Sequence, residues 1–317
     1  MSLLSVRLVK KTEETPEIST FEFVACDGGD LPAFEAGAHV DFHLPGGRVR
    51  SYSLCGDPGE LQRYYFAVLR EVQSRGGSLA MHQLQEGDVV SISAPKNCFP
   101  LADAPQHVLL AGGIGITPLL SMAHQLQREN KDFVLHYAAR SASNAAFVAW
   151  LKSCAFTSRV RCHFDDGVAD QRLNLLTSIG SPTTGRHLYV CGPQGLIDAS
   201  LTQARSLGWP EDHLHYELFG AQVAQQEGDS SFAVVVKSSA QRFEVPADKT
   251  VIQVLHEAGI DVPIACEQGI CGTCLTGVLD GVPDHRDQYL TPEEQAANNQ
   301  FTPCCSRSKT SILTLDL

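Results

Sequence analysis

The sequence predicts three folded parts in series: a small antiparallel β-barrel over residues 1–102, a doubly wound α/β domain over 103–225, and an α+β domain over 232–317. Three observations predict it. Short alternating strands separated by turn residues fill the first part. Apolar runs of strand length then alternate with helix-length segments, the rhythm of a parallel sheet. The tail carries a strand pair, one short helix and a cysteine-dense loop. The polar stretch 221–231 lacks periodicity and reads as a linker, with 226–231 assigned wholly to it.

Composition bounds the function classes. At 317 residues, 43% hydrophobic and 19% charged, the chain has material for two to three ordinary cores. A formal net charge of −12 argues against nucleic acid or an anionic membrane as partner, since both need clustered Lys and Arg. It suits docking to a basic patch on another protein. The N-terminal segment alternates like a strand and lacks the apolar core of a targeting peptide. The most apolar long stretch, 108–122, is broken by Gly112, Gly113, Gly115 and Pro118 and is too short to span a bilayer. A cytoplasmic protein is expected.

In the first part, residues 6–9, 18–23, 39–44, 48–54, 64–69 and 89–94 read as strands, with turns at 14–16 and 27–30 and a hairpin at Pro45-Gly46-Gly47. Within it lie Arg50-Ser51-Tyr52-Ser53-Leu54 and Arg75-Gly76-Gly77-Ser78 opening an apolar-periodic helix. Free N–H groups, the positive end of the helix dipole and the Ser78 hydroxyl make the second motif a candidate anion site. A plain helix cap after a loop would look the same.

In the second part, strands are expected at 107–111, 133–137, 160–164 and 187–191, and helices at 118–128, 145–152 and 194–207. His136 and His163 sit mid-strand and read as core side chains. Gly112-Gly113-Ile114-Gly115-Ile116-Thr117-Pro118 joins the first strand to the first helix. Glycines there permit close backbone approach to a pyrophosphate, and Pro118 in the first helical turn removes an N–H that has no helical partner. Cys191-Gly192-Pro193 closes a later strand, and Glu217-Leu218-Phe219 ends the sheet.

In the tail, strands at 232–237 and 242–246 precede a helix over 250–257 closed by Gly259. Cys266, Cys271 and Cys274 then follow with C-x4-C-x2-C spacing. That is the spacing of a plant-type [2Fe–2S] site, whose fourth ligand comes from far along the chain; Cys304 and Cys305 are the candidates. Buried thiolates need a metal to compensate their charge. Zinc favours paired C-x2-C knuckles or added histidines, and one C-x2-C is present. Eleven cysteines without a secretory signal argue against a disulfide framework.

Taken in order, these motifs resemble the phthalate dioxygenase reductase family, which includes vanillate O-demethylase and carnitine monooxygenase reductases. The resemblance implies a flavin-binding barrel, a nicotinamide-dinucleotide domain and a plant-type ferredoxin domain. It sets Tyr52 and Ser53 against the isoalloxazine, Ser53 near N5, with Arg50, Gly76, Gly77 and Ser78 on the phosphate and the backbone of Val68 and Leu69 along the ribityl chain. FMN is expected over FAD because the phosphate ends at the helix N-terminus and no adenine-binding insertion is visible. Gly113, Gly115, Thr117 and Pro118, with Gly192 and Pro193, would take the pyrophosphate of NADH, and Cys191 would lie beside the nicotinamide. Arg140, Asp165 and Asp166 are candidates for the adenosine ribose. Two acids there would repel a 2′-phosphate and favour NADH over NADPH, although a turn before Gly167 would also use them. Phe219 would pack on the flavin, with a core phenylalanine as the alternative.

By the same resemblance Cys304 is the fourth iron ligand, since Cys-x-Ser-Arg carries the iron in this family. The implied activity passes electrons from NADH through FMN and a [2Fe–2S] cluster to a terminal Rieske-type oxygenase. From Ser231 onward, acidic residues outnumber basic ones eleven to six, a bias suited to steering a basic partner. A flavin reductase without such a partner and a redox-sensing module are the competing readings.

Overall fold

The computed structural model describes every residue except 1–2, 46–47, 72–75, 220–227, 265–266, 268, 271 and 288. The chain separates into two compact units, Met1–Phe219 and Gly220–Leu317.

The first unit begins with strands β1 (Leu4–Glu13), β2 (Ile18–Ala25), β3 (Ala38–Leu44), β4 (Arg48–Ser53) and β5 (Tyr64–Leu69), helix α1 (Gly77–Gln83), then β6 (Val89–Ile92) and β7 (Lys96–Asn97). They form one antiparallel sheet in the order β4-β3-β6-β1-β2-β5, with β7 on β3. Its two end strands, β4 and β5, approach each other, so the sheet nearly closes into a barrel. Alternation turns Phe21, Phe23, Phe42, Tyr64 and Phe66 inward, and all five are fully buried. Their rings pack edge to face, Phe42 and Phe66 at 4.9 Å between centroids.

The same unit continues with β8 (Gln106–Gly112), α2 (Ile116–Arg128), β9 (Asp132–Ala139), α3 (Val148–Leu151), β10 (Val160–Phe164), α4 (Leu175–Ile179), β11 (Arg186–Gly192), α5 (Gln194–Ser206) and β12 (Leu214–Leu218). The strands are parallel in the order β10-β9-β8-β11-β12. Leu119, Met122 and Leu126 of α2 pack with Leu109 and Tyr189 of the sheet. Ile197, Leu201 and Ala204 of α5 pack with Val108, Leu110 and Val190, residues of opposite strand parity. Helices therefore cover both faces, as a doubly wound sheet requires. Chain direction across the sheet reverses between β8 and β11, and ligands of such sheets bind in the crevice at the carboxyl ends of those strands.

One expected helix is shorter than its pattern. Of residues 145–152 only Val148–Leu151 is helical, because Phe147 takes φ 64° and ψ 3° and breaks the first turn.

The second unit holds β13 (Phe232–Val236), β14 (Gln241–Val245), α6 (Val251–Glu257), β15 (Thr276–Asp280), β16 (Pro283–Asp284), α7 (Pro292–Ala297), β17 (Gln300–Phe301), β18 (Arg307–Ser308) and β19 (Ile312–Leu315). The main sheet runs β14-β13-β19-β15-β17. Thr250 caps α6 reciprocally: its hydroxyl accepts from the Gln253 amide at 3.2 Å, and its own amide donates to Gln253 Oε1 at 2.9 Å. Val251, Ile252 and Leu255 of α6 then bury against Val234, Phe301, Leu313 and Leu315. Among the described residues no helix is long and apolar enough to cross a membrane.

Candidate functional site

The Gly-rich turn after β8 and the Cys191-Gly192-Pro193 end of β11 meet at the strand-order reversal. A β-carbon on Gly115 would overlap the Cys191 carbonyl and lie 2.6 Å from the Gly192 amide nitrogen, so backbone packs on backbone only because Gly115 has no side chain. Gly112 likewise has Pro193 Cδ 2.9 Å from its missing β-carbon. Thr117 is buried, and its hydroxyl donates to the Ile114 carbonyl at 3.1 Å, pinning the turn where α2 starts. Pro118 occupies the first turn of α2, as expected. Such a turn can bring amide groups close to a pyrophosphate.

Cys191 is fully buried, and burial, with the neighbouring Glu217, holds its thiol well above the ordinary range. A neutral, small sulfur is suited to lie beside a ring and unsuited to act as a nucleophile. Phe219 packs in the same apolar group as Cys191, together with Cys55 and Tyr65 from the barrel. β11, the barrel and the chain just after β12 thus contribute to one apolar group.

Glu217 was not singled out from the sequence. It lies opposite Cys191 in the β11–β12 register, is buried, and its Oε2 has no hydrogen-bond partner among the described residues. Burial pushes its carboxyl up to about 8. The available signal was one acid between Tyr216 and Leu218 in a strand of a parallel sheet, where polar side chains are rare. Perturbed carboxyls of this kind cluster at functional sites.

Arg140 and Asp166 sit at the carboxyl ends of the adjacent strands β9 and β10, both exposed, and the Asp166 amide donates to the Arg140 carbonyl at 3.2 Å. His136 and His163 pair across those strands, with ring nitrogens 2.9 Å apart.

On the barrel, Ser53 is buried on β4 and pairs with His39 of β3, while the Tyr52 ring meets Phe42 edge on at 5.7 Å. Gly76 precedes α1 in the left-handed region at φ 89°. A β-carbon on Gly77 would come within 2.5 Å of Arg50 Cγ, so Arg50 lies directly on the start of α1. Burial lowers the pKa of Arg50, and the charge of Arg48 adds to the effect. Two cations at glycine amides fit an anion such as a phosphate. The Ser78 hydroxyl accepts from the Glu71 amide at 3.0 Å and so also ties α1 to the end of β5. Val68 is buried, its carbonyl 2.9 Å from His82 Nε2, and Leu69 is half-buried.

Cys266 and Cys271 lie outside the described residues. Cys274 and Cys304 are both buried. The neighbouring thiol of Cys274, with Cys305 and burial, drives the Cys304 thiol far above its usual range. A thiolate there is unsupported without a cation, which is the environment an iron centre would satisfy. Cys305 interacts with Cys304 and also lies 3.2 Å from Thr302 Oγ1 and 3.8 Å from Ser306 Oγ through its sulfur. Cys274 and Cys304 are the two members of the expected ligand set that lie among the described residues.

Residues 234–309 match the sequence model of the 2Fe-2S iron-sulfur cluster binding domain, and residues 109–201 that of the oxidoreductase NAD-binding domain. The chain is 53% identical over 303 residues to a vanillate O-demethylase oxidoreductase of Pseudomonas sp. (strain HR199 / DSM 7063), covering 95% of this chain and 96% of the relative. It is 38% identical over 317 residues to the phthalate dioxygenase reductase of Burkholderia cepacia, covering 99% and 97% of the two chains. A solved phthalate dioxygenase reductase, described as a modular structure for electron transfer from pyridine nucleotides to [2Fe-2S], superimposes with TM-score 0.77 at 38% identity over 100% of this chain and 98% of that one. The chain belongs to the phthalate dioxygenase reductase family.

Proposed function

We propose that this protein is the reductase component of a Rieske-type oxygenase system, carrying electrons from NADH to its oxygenase partner. When bound, FMN accepts a hydride from NADH and the [2Fe–2S] cluster passes electrons on singly. The observation that carries the reading is the backbone contact of Gly115 with Cys191 at the strand-order reversal, in a unit whose barrel adds Cys55 and Tyr65 to the apolar group of Cys191, while a separate unit bears Cys274, Cys304 and Cys305.

The chain's own residues supply placement. Arg50, Gly76, Gly77 and Ser78 would hold the flavin phosphate, and Tyr52 and Ser53 would face the ring, with Val68 and Leu69 beside the ribityl chain. Gly113, Gly115, Thr117, Pro118, Gly192 and Pro193 would receive the pyrophosphate of NADH, and Arg140 and Asp166 its adenosine ribose. Cys191 and Phe219 would shape the space where the two rings meet. Glu217 adds a carboxyl that can ionise as positive charge develops on the nicotinamide. Cys266, Cys271, Cys274 and Cys304 would hold the cluster. The divisions 1–102, 103–225 and 232–317 belong to this reading.

The names of the relatives favour an aromatic O-demethylase or dioxygenase as acceptor, with a vanillate-type oxygenase the first to test. Thiolate-bound iron is compatible with a reducing cytoplasm, the expected location. The test is anaerobic mixing of purified protein with NADH, following flavin bleaching and then cluster reduction, and afterwards addition of the oxygenase component. Bleaching without cluster reduction would reduce the protein to a flavin reductase; cofactors bound with no turnover would favour a sensor.

A further inference from the structure

We infer that Phe147, held in place by Glu14, positions the nicotinamide against the flavin, an inference that rests on the function proposed above. Phe147 adopts φ 64° without being glycine. For a bulky side chain this left-handed conformation is unfavourable and persists only where the surroundings enforce it.

The enforcing contact comes from the barrel. The Phe147 amide donates to Glu14 Oε2 at 3.0 Å across a sequence separation of 133 residues. Glu14 lies in the turn between β1 and β2, and that turn is stiff: its amide donates to the Ile18 carbonyl at 2.9 Å, and Thr15 Oγ1 accepts from the Ile18 amide at 2.9 Å. A barrel turn with its own internal hydrogen bonds therefore reaches a backbone position in the nucleotide domain through an exposed, charge-assisted hydrogen bond.

Phe147 also stands where the two half-sites meet. It packs against Ile18, Ala67 and Ala146, as do Leu69 and Ile114. Leu69 ends the strand assigned to the ribityl chain, and Ile114 lies within the Gly-rich turn. Phe147 packs as well against the apolar group containing Cys191 and Phe219. Leu69, Ile114 and Phe147 are each half-buried, a partial apolar wall joining the flavin side to the nucleotide side.

The reaction at that seam breaks the C4–H bond of dihydronicotinamide and forms N5–H on the flavin, oxidising the first and reducing the second by two electrons. Its rate depends steeply on ring placement, a misplacement of about 1 Å costing on the order of 100-fold.

The experiment compares holoprotein of the unmodified chain with Glu14→Ala, Glu14→Gln and Phe147→Leu by anaerobic stopped flow. It records flavin bleaching at saturating NADH and the long-wavelength charge-transfer absorbance, with FMN content and Tm measured for each. Glu14→Ala and Phe147→Leu should slow bleaching by about tenfold and weaken the charge-transfer band, while Glu14→Gln, which keeps an acceptor oxygen, stays within about twofold. An unchanged rate and band in Glu14→Ala and Phe147→Leu, with only Tm lowered, would overturn the inference and leave the contact as a brace. Absence of NADH-dependent bleaching in the unmodified protein would instead overturn the proposed function.

Discussion

Gly115 and Cys191 touch backbone to backbone: a β-carbon on Gly115 would lie 2.3 Å from the Cys191 carbonyl oxygen. Gly115→Ala must push α2 away from β11. The expected outcome is at least a tenfold weaker affinity for NAD⁺, about 1.4 kcal/mol or more, with FMN content retained. Titration calorimetry with NAD⁺ measures the first and flavin absorbance the second; unaltered NAD⁺ affinity would remove this turn from the site.

Glu217 makes stability depend on pH in an unusual direction. Its folded pKa of about 8 lies above the ordinary 4.5, so the native state retains a proton that the unfolded chain loses. This contribution is complete below about pH 4.5 and is lost as pH rises toward 8. Glu217→Gln should therefore raise Tm relative to the parent at pH 8 and change it little at pH 5. It should also slow hydride transfer if the carboxyl assists the nicotinamide charge. A Tm difference that does not grow with pH would show the carboxyl to be solvated.

The histidines act in the opposite sense. His215 and His136 are each pushed down to about 4, first by burial and next by His187 and His163 respectively. His187 Nδ1 lies 2.9 Å from His215 Nε2, and Tyr189 stacks on His215 at 4.4 Å. A depressed histidine supports the fold while neutral. That support is present above about pH 6.5 and is lost as pH falls toward 4. Thermal melts of the parent should drop across that window, and the double variant His136→Phe with His215→Phe should flatten the drop. An equal slope in the variant would assign acid lability elsewhere.

Cys304 and Cys305 should separate cleanly. Cys304→Ser is expected to lose iron and acid-labile sulfide while NADH still bleaches the flavin, because the two sites lie in different compact units. Cys305→Ser should keep its cluster, since its sulfur is bonded to Thr302 and Ser306. Cys271→Ser should behave as Cys304→Ser does. Iron and sulfide analysis beside stopped-flow bleaching decides it; cluster loss in Cys305→Ser alone would exchange the two ligand assignments.

Much of this was legible in the linear order of residues, because its signals are local. The alternation of β1 to β5, the helical spacing of α2 and α5, the C-x4-C-x2-C loop and the glycines after β8 each depend on neighbours a few positions away. The shortened helix at 145–152 was not, since the break comes from Phe147 answering a carboxylate in the distant barrel turn. Glu217 was passed over for the same reason: an acid in a strand becomes exceptional only when its neighbours remove water and leave its Oε2 without a partner among the described residues.

Residue order by itself determined the chemistry available to this protein, namely which thiols can hold iron, which glycines admit a phosphate and which runs become sheet. Three-dimensional packing alone decided which of those groups meet. Cys191 and Glu217 come from different strands and meet only in the β11–β12 register, and their shifted acidity arises from burial, a quantity no short stretch of chain possesses.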